Sequence, residues 1–110
     1  GSNYSGGQQG IRIPGYPSIT VDAGKDNVTM NLFNPEGNPC YFTFEIVLSD
    51  TGETIYKSDM VEPGKAITNV KLHHPLATGE HNAVIKISTA SLTDGKTMNG
   101  ANVETVLVAK

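Results

Sequence analysis

The 110-residue sequence predicts an all-β domain, a sandwich of two sheets built from about seven short antiparallel strands. Three observations carry this. Apolar residues alternate with polar ones at a period of two in segment after segment. No window keeps the i, i+3, i+4, i+7 apolar spacing of a helix for three turns. Glycine, proline, asparagine and aspartate recur between the alternating segments, where turns require them.

After the proline-rich lead-in IRIPGYPS, residues 19–23 form the first candidate strand. Residues 27–33 (NVTMNLF) place Val28, Met30 and Leu32 on one face. The most regular strand is 41–48 (YFTFEIVL), with Phe42, Phe44, Ile46 and Leu48 inward and Thr43 and Glu45 outward. Residues 53–58 (ETIYKS) follow directly. Residues 67–72 (ITNVKL) come after the turn Glu62-Pro63-Gly64-Lys65, with Val70 and Leu72 in phase. Residues 81–88 (HNAVIKIS) put Ala83, Ile85 and Ile87 on one side, and 103–108 (VETVLV) close the chain. The expected core is Phe42, Phe44, Ile46, Leu48, Val70, Ile85 and Ile87.

The turns between these strands carry a resemblance. A strand ends in Asn34-Pro35, and the long strand 42–48 follows. An Asp-x-Gly turn (Asp50, Gly52) leads to Ile55 and Tyr56, and then come Val61-Glu62-Pro63-Gly64-Lys65 and Leu76-Ala77-Thr78-Gly79-Glu80-His81-Asn82-Ala83. This layout, a little over half the chain, resembles the immunoglobulin-like and fibronectin type III-like modules of bacterial secreted and surface proteins, and a small group of proteinase-inhibitor sandwiches. The resemblance implies an immunoglobulin-like two-sheet sandwich. His81 departs from the pattern, standing where such modules carry the tyrosine that anchors the corner before the sixth strand; an imidazole there can still hydrogen-bond nearby backbone, but as a weaker anchor.

Composition fits a single folded domain. The apolar share is 37%; with glycine counted in and tyrosine left out it reaches about 45%, the globular norm. Eight basic and eleven acidic residues give a net charge of −3 with no basic stripe, which argues against nucleic acid as a partner. Cys40 is the only cysteine, so no intrachain disulfide forms, and no apolar run approaches the roughly 18 residues needed to span a membrane. Gly1-Ser2 reads as a cloning scar and residues 3–10 (NYSGGQQG) as a flexible linker ahead of one domain over 11–110. The expectation is a trimmed native N-terminus, preceded by a secretion signal and, in one version, a lipid-accepting cysteine.

Several residue groups suggest chemistry. Asp50-Thr51-Gly52 matches the active-site triplet of the aspartic proteases, whose short members act as dimers sharing one proton between two aspartates. Ser49 precedes it, however, Glu53-Thr54 follow it, and no glycine ends an apolar element after Val84–Ile87. Asp50 therefore reads as a hairpin turn residue. His73 and His74 are adjacent, so on a strand they point to opposite faces and cannot share a zinc ion with His81 without distortion. Asp22, Asp26, Glu36 and Asp94 lack the close spacing of a calcium loop. Cys40 has no neighbouring His or Lys to activate it and reads as a small semi-buried hydrophobe. Asn3-Tyr4-Ser5 and Asn27-Val28-Thr29 match the glycosylation triplet and receive no functional role. No metal or other cofactor is expected.

Two loops remain. Residues 34–40 (NPEGNPC) are stiffened by two prolines and a glycine, and residues 89–102 (TASLTDGKTMNGAN) look too long for a minimal hairpin. Asn34, Pro35, Glu36, Asn38 and Pro39 from the first, and Asp94, Lys96, Met98 and Asn99 from the second, are the candidate partner contacts. The expected function is a non-enzymatic module, extracellular or tethered at a bacterial cell surface and not membrane-spanning. It would serve adhesion-type protein contact, with another protein or the envelope as partner, or act as a spacer. A proteinase-inhibitor-type or regulatory sandwich is the alternative, and a dimeric protease using Asp50 the third reading.

Overall fold

The computed structural model describes residues 11–110; the scar and linker assigned to residues 1–10 lie outside them. Among the described residues there are seven strands and no helix: β1 Ile19–Val21, β2 Asn27–Phe33, β3 Cys40–Leu48, β4 Thr54–Lys57, β5 Ala66–Lys71, β6 Gly79–Ser91 and β7 Thr97–Ala109. They form a five-stranded sheet in the order β1-β7-β6-β3-β4 and a two-stranded sheet, β2-β5.

The alternation read from the sequence places the side chains. In β3, Cys40, Phe42, Phe44 and Ile46 are fully buried, while Tyr41, Thr43 and Glu45 between them are only partly so. Phe42 and Phe44 share the inner face and meet edge to face, ring centroids 5.8 Å apart, a geometry that adds to simple burial. Ile46, Val70, Ile85 and Ile87 close the core around them, and Leu48 packs against it partly buried. Ile11, Val61, Leu72 and Leu76, outside the strands, also belong to it.

Bulges adjust the phase. Between Thr29 and Leu32 the β2–β5 register shifts, so Val28 opposes Val70 and Leu32 opposes Ile67, and both pairs face inward. The run after β4 keeps pairing with β3: the Phe44 amide donates to Ser58 Oγ at 2.9 Å, and Phe42 and Val61 exchange backbone hydrogen bonds of 3.0 and 2.7 Å. A serine hydroxyl thus takes the place of a ladder carbonyl. At the start of β6, His81 Nε2 donates to the Ala77 carbonyl at 2.8 Å, the backbone anchoring expected of this imidazole.

Two expectations are corrected. The strands are not all antiparallel: β1 pairs in parallel with β7, Ile19 beside Leu107 and Val21 beside Ala109. The chain passes β2 first, where the Phe33 amide donates to the Tyr16 hydroxyl at 3.2 Å, and then crosses to the edge of the larger sheet. Period-two alternation carries no information about the direction of a strand's neighbour. Nor is 89–102 a loop. β6 runs on to Ser91 and β7 begins at Thr97, leaving a turn of residues 92–96. The extension holds because β3 pairs with it on the other side, Cys40 with Ser91 and Phe42 with Thr89. Its small polar residues conceal this. Thr89 is buried, its hydroxyl donating to the Asn99 carbonyl at 2.7 Å beside a register shift, and a Cβ on Gly100 would overlap the Ile87 carbonyl.

Candidate functional site

The two candidate contact segments meet at one end of the domain, where the Leu92 amide donates to the Pro39 carbonyl at 3.2 Å. Each has its own support. In 34–40 the support is a pair of buried asparagines. Asn34, with no exposed surface, donates through Nδ2 to the carbonyls of Cys40 and Val61, both at 2.9 Å, and accepts from Asn38 Nδ2 at 2.8 Å. Asn38 then clamps the lead-in: its Oδ1 accepts from the Arg12 amide at 2.8 Å and its Nδ2 donates to the Arg12 carbonyl at 3.0 Å. The Gly64 and Asn34 amides tie this loop to the β5 turn through Asn34 O and Lys65 O. Polar groups buried this way must all be paired, and they hold the loop in one shape.

That finding revises two candidate contacts. Asn34 and Asn38 are buried and face inward, where they position the loop. Pro35 and Pro39 are partly exposed and Glu36 is exposed. At the other segment the turn is fixed by Ser91 and Asp94: the Gly95 amide donates to Ser91 O at 2.9 Å, the Thr93 amide to Ser91 Oγ at 3.1 Å and the Lys96 amide to Asp94 Oδ1 at 3.0 Å. Asp94, Lys96 and Asn99 are exposed, whereas Met98 packs against the core from its margin.

The sequence reading missed the surface beside residues 34–40. A shallow groove of about 770 Å³ runs over the outer face of the β2–β5 sheet, lined by Arg12, Asn31, Phe33, Pro35, Glu36 and Lys65 among others. Its residues come from three separated segments, which no local pattern joins. The one available signal was that Arg12 is the only arginine in the chain. All three exposed large hydrophobics among the described residues also attach to this end. Ile13 follows the clamped Arg12, Met60 precedes Val61, whose carbonyl Asn34 holds, and Leu92 is bonded to Pro39.

The other candidates lie elsewhere. Asp50 is exposed in the β3–β4 turn, with Gly52 at φ 75° donating its amide to Leu48 O at 2.8 Å. His73 Nδ1 lies 2.9 Å from Thr54 O, and His74 sits between the Pro75 carbonyl and Glu53 Oε2, each at 2.9 Å. These two acceptors, the carbonyl first and then the carboxylate, raise the His74 pKa above its ordinary value. Among the described residues no group of three or more His, Cys, Asp or Glu could hold a metal ion, and no helix is long and apolar enough to cross a membrane. Cys40 is buried, and desolvation pushes its thiol pKa up, away from the reactive thiolate. Comparison with protein-family models, with curated proteins and with solved structures found no match.

Proposed function

We propose that this domain is a non-enzymatic, immunoglobulin-like module of a bacterial extracellular or surface-tethered protein, and that it contacts a protein partner through the end bearing residues 34–40 and the 92–96 turn. One observation carries the reading: Ile13, Met60 and Leu92 are all exposed at the end that the buried Asn34–Asn38 pair stiffens. Exposed apolar side chains on a fixed backbone favour association, because little conformational entropy is lost on binding. Two β-sheets around one core suit the immunoglobulin-like reading, while the five-and-two division of the strands and the parallel β1–β7 pair depart from its antiparallel plan.

The test is binding of the labelled full chain to intact cells of the organism that encodes it, before and after surface proteolysis. Protease-sensitive binding that falls at least tenfold with Leu92→Asp and Met60→Asp supports the proposal. Binding untouched by both substitutions, or none at all, overturns it. The ordered, exposed 92–96 turn also favours a proteinase-inhibitor-type reading. Slow cleavage after Leu92 with stoichiometric inhibition, in a screen of secreted proteases, would move the function there.

A further inference from the structure

Arg12 is held unusually firmly for an exposed side chain. Its backbone amide and carbonyl are both engaged by Asn38, which Asn34 fixes in turn, and its guanidinium donates to the Glu36 carbonyl. Gly37 leaves room for this: a Cβ there would stand 3.2 Å from Arg12 Nη2. Among the described residues neither Arg12 nor Lys65 forms an ion pair. A guanidinium carries five N–H donors in a planar fork, and the Glu36 carbonyl accounts for one of its bonds. A cation whose backbone is clamped, whose guanidinium is held at one point and which lacks an internal counter-ion is suited to an anion from outside, since the fold already meets part of the cost of ordering it.

The groove beside it narrows the choice of anion. Lys65 adds a second positive charge, and the half-buried Phe33 ring opposite the small Ala66 offers an apolar patch between β2 and β5. Glu36 lines the same groove, and the chain as a whole is acidic, which disfavours a polyanion. A ring only partly exposed does not present the full face that stacking on a sugar uses. We infer that this groove binds a peptide segment presenting one carboxylate next to an apolar side chain, the carboxylate on Arg12 and Lys65 and the side chain on Phe33. The inference rests on the proposed contact role of this end and names the chemistry of its partner.

The experiment is an NMR titration of the ¹⁵N-labelled full chain with an N-acetylated glycine-glycine-leucine peptide bearing a free α-carboxylate, and in parallel with its C-terminal amide and with glucuronic acid. The free acid should shift the Phe33, Gly37 and Ala66 amide signals saturably, with the amide form and Arg12→Gln each weakening binding about tenfold. Because Asn38 grips only the Arg12 backbone, R12Q keeps that clamp. Glu36→Gln reads the same field with opposite sign and should tighten binding about threefold as a like charge leaves. No saturable shift, equal binding of the amide, tighter binding of glucuronic acid, or a Glu36→Gln variant that binds no better would each overturn the inference. The titration involves no cellular partner. A negative titration with intact, Leu92-dependent cell binding therefore removes the groove alone, and the reverse pattern removes only the wider contact role.

Discussion

Asn34 and Ser58 show how single polar side chains finish a β core that backbone pairing leaves incomplete. The Asn34 amide supplies donors to two carbonyls, Cys40 and Val61, which lie among fully buried neighbours. Asn34→Ala should destabilise the domain by about 3 kcal/mol, since both carbonyls and Asn38 lose a partner in a site water does not reach. Urea denaturation measures this, and a loss under about 0.5 kcal/mol, the range of a surface substitution, would refute the account. His74 makes a pH-dependent contribution. Its pKa is raised in the fold by the Pro75 carbonyl and by Glu53. Stability from this contact is therefore fully present below the unfolded value near 6.5 and is lost as pH rises through the higher folded value. The imidazole signals should titrate above 6.5 in wild type and shift down in Glu53→Gln; an unmoved titration would show that Glu53 plays no part.

At the scale of elements, the β6–β7 hairpin decides the shape of the candidate contact end. It depends on close backbone approach at the register shift, where Gly100 faces the Ile87 carbonyl. Gly100→Val should push the strands apart there and cost about 1–3 kcal/mol through overpacking and broken pairing. Hydrogen exchange should rise selectively at 88–91 and 97–100, while the half of the hairpin near Ala83 and Thr105 stays protected. Uniform exchange along both strands would contradict this. β2 was legible to its last residue and β3 to within one, because apolar alternation is complete in both. The outer half of the hairpin was not. Serine, threonine and asparagine serve equally in turns and on a solvent-facing ladder, and only pairing with β3 makes them strand.

Over the whole molecule, one core joins the five-stranded and two-stranded sheets, with Phe42 and Phe44 at its centre. Phe44→Ala should cost about 3–5 kcal/mol, from lost burial plus the cavity left behind. A calorimetric midpoint that barely moves would mean the ring contributes little. The same closed core is the reason recognition is proposed for the outside: the groove beside β2–β5 lies on the surface, where side chains from distant segments converge.

The sequence by itself determined the all-β class, the places of the strands outside the far half of the β6–β7 hairpin, and the buried face of β2 and β3. All of these follow from interactions within a few residues: side chains alternating across a pleat, and the backbone preferences of glycine, proline, asparagine and aspartate. The tertiary structure alone decided that β1 lies parallel to β7 and that residues 89–102 are mostly strand. It also turned Asn34 and Asn38 inward and brought Arg12, Phe33 and Lys65 to one groove. These outcomes depend on which segments become neighbours. Partners far apart in the chain are chosen by the packing of the whole core, and no local pattern records that choice.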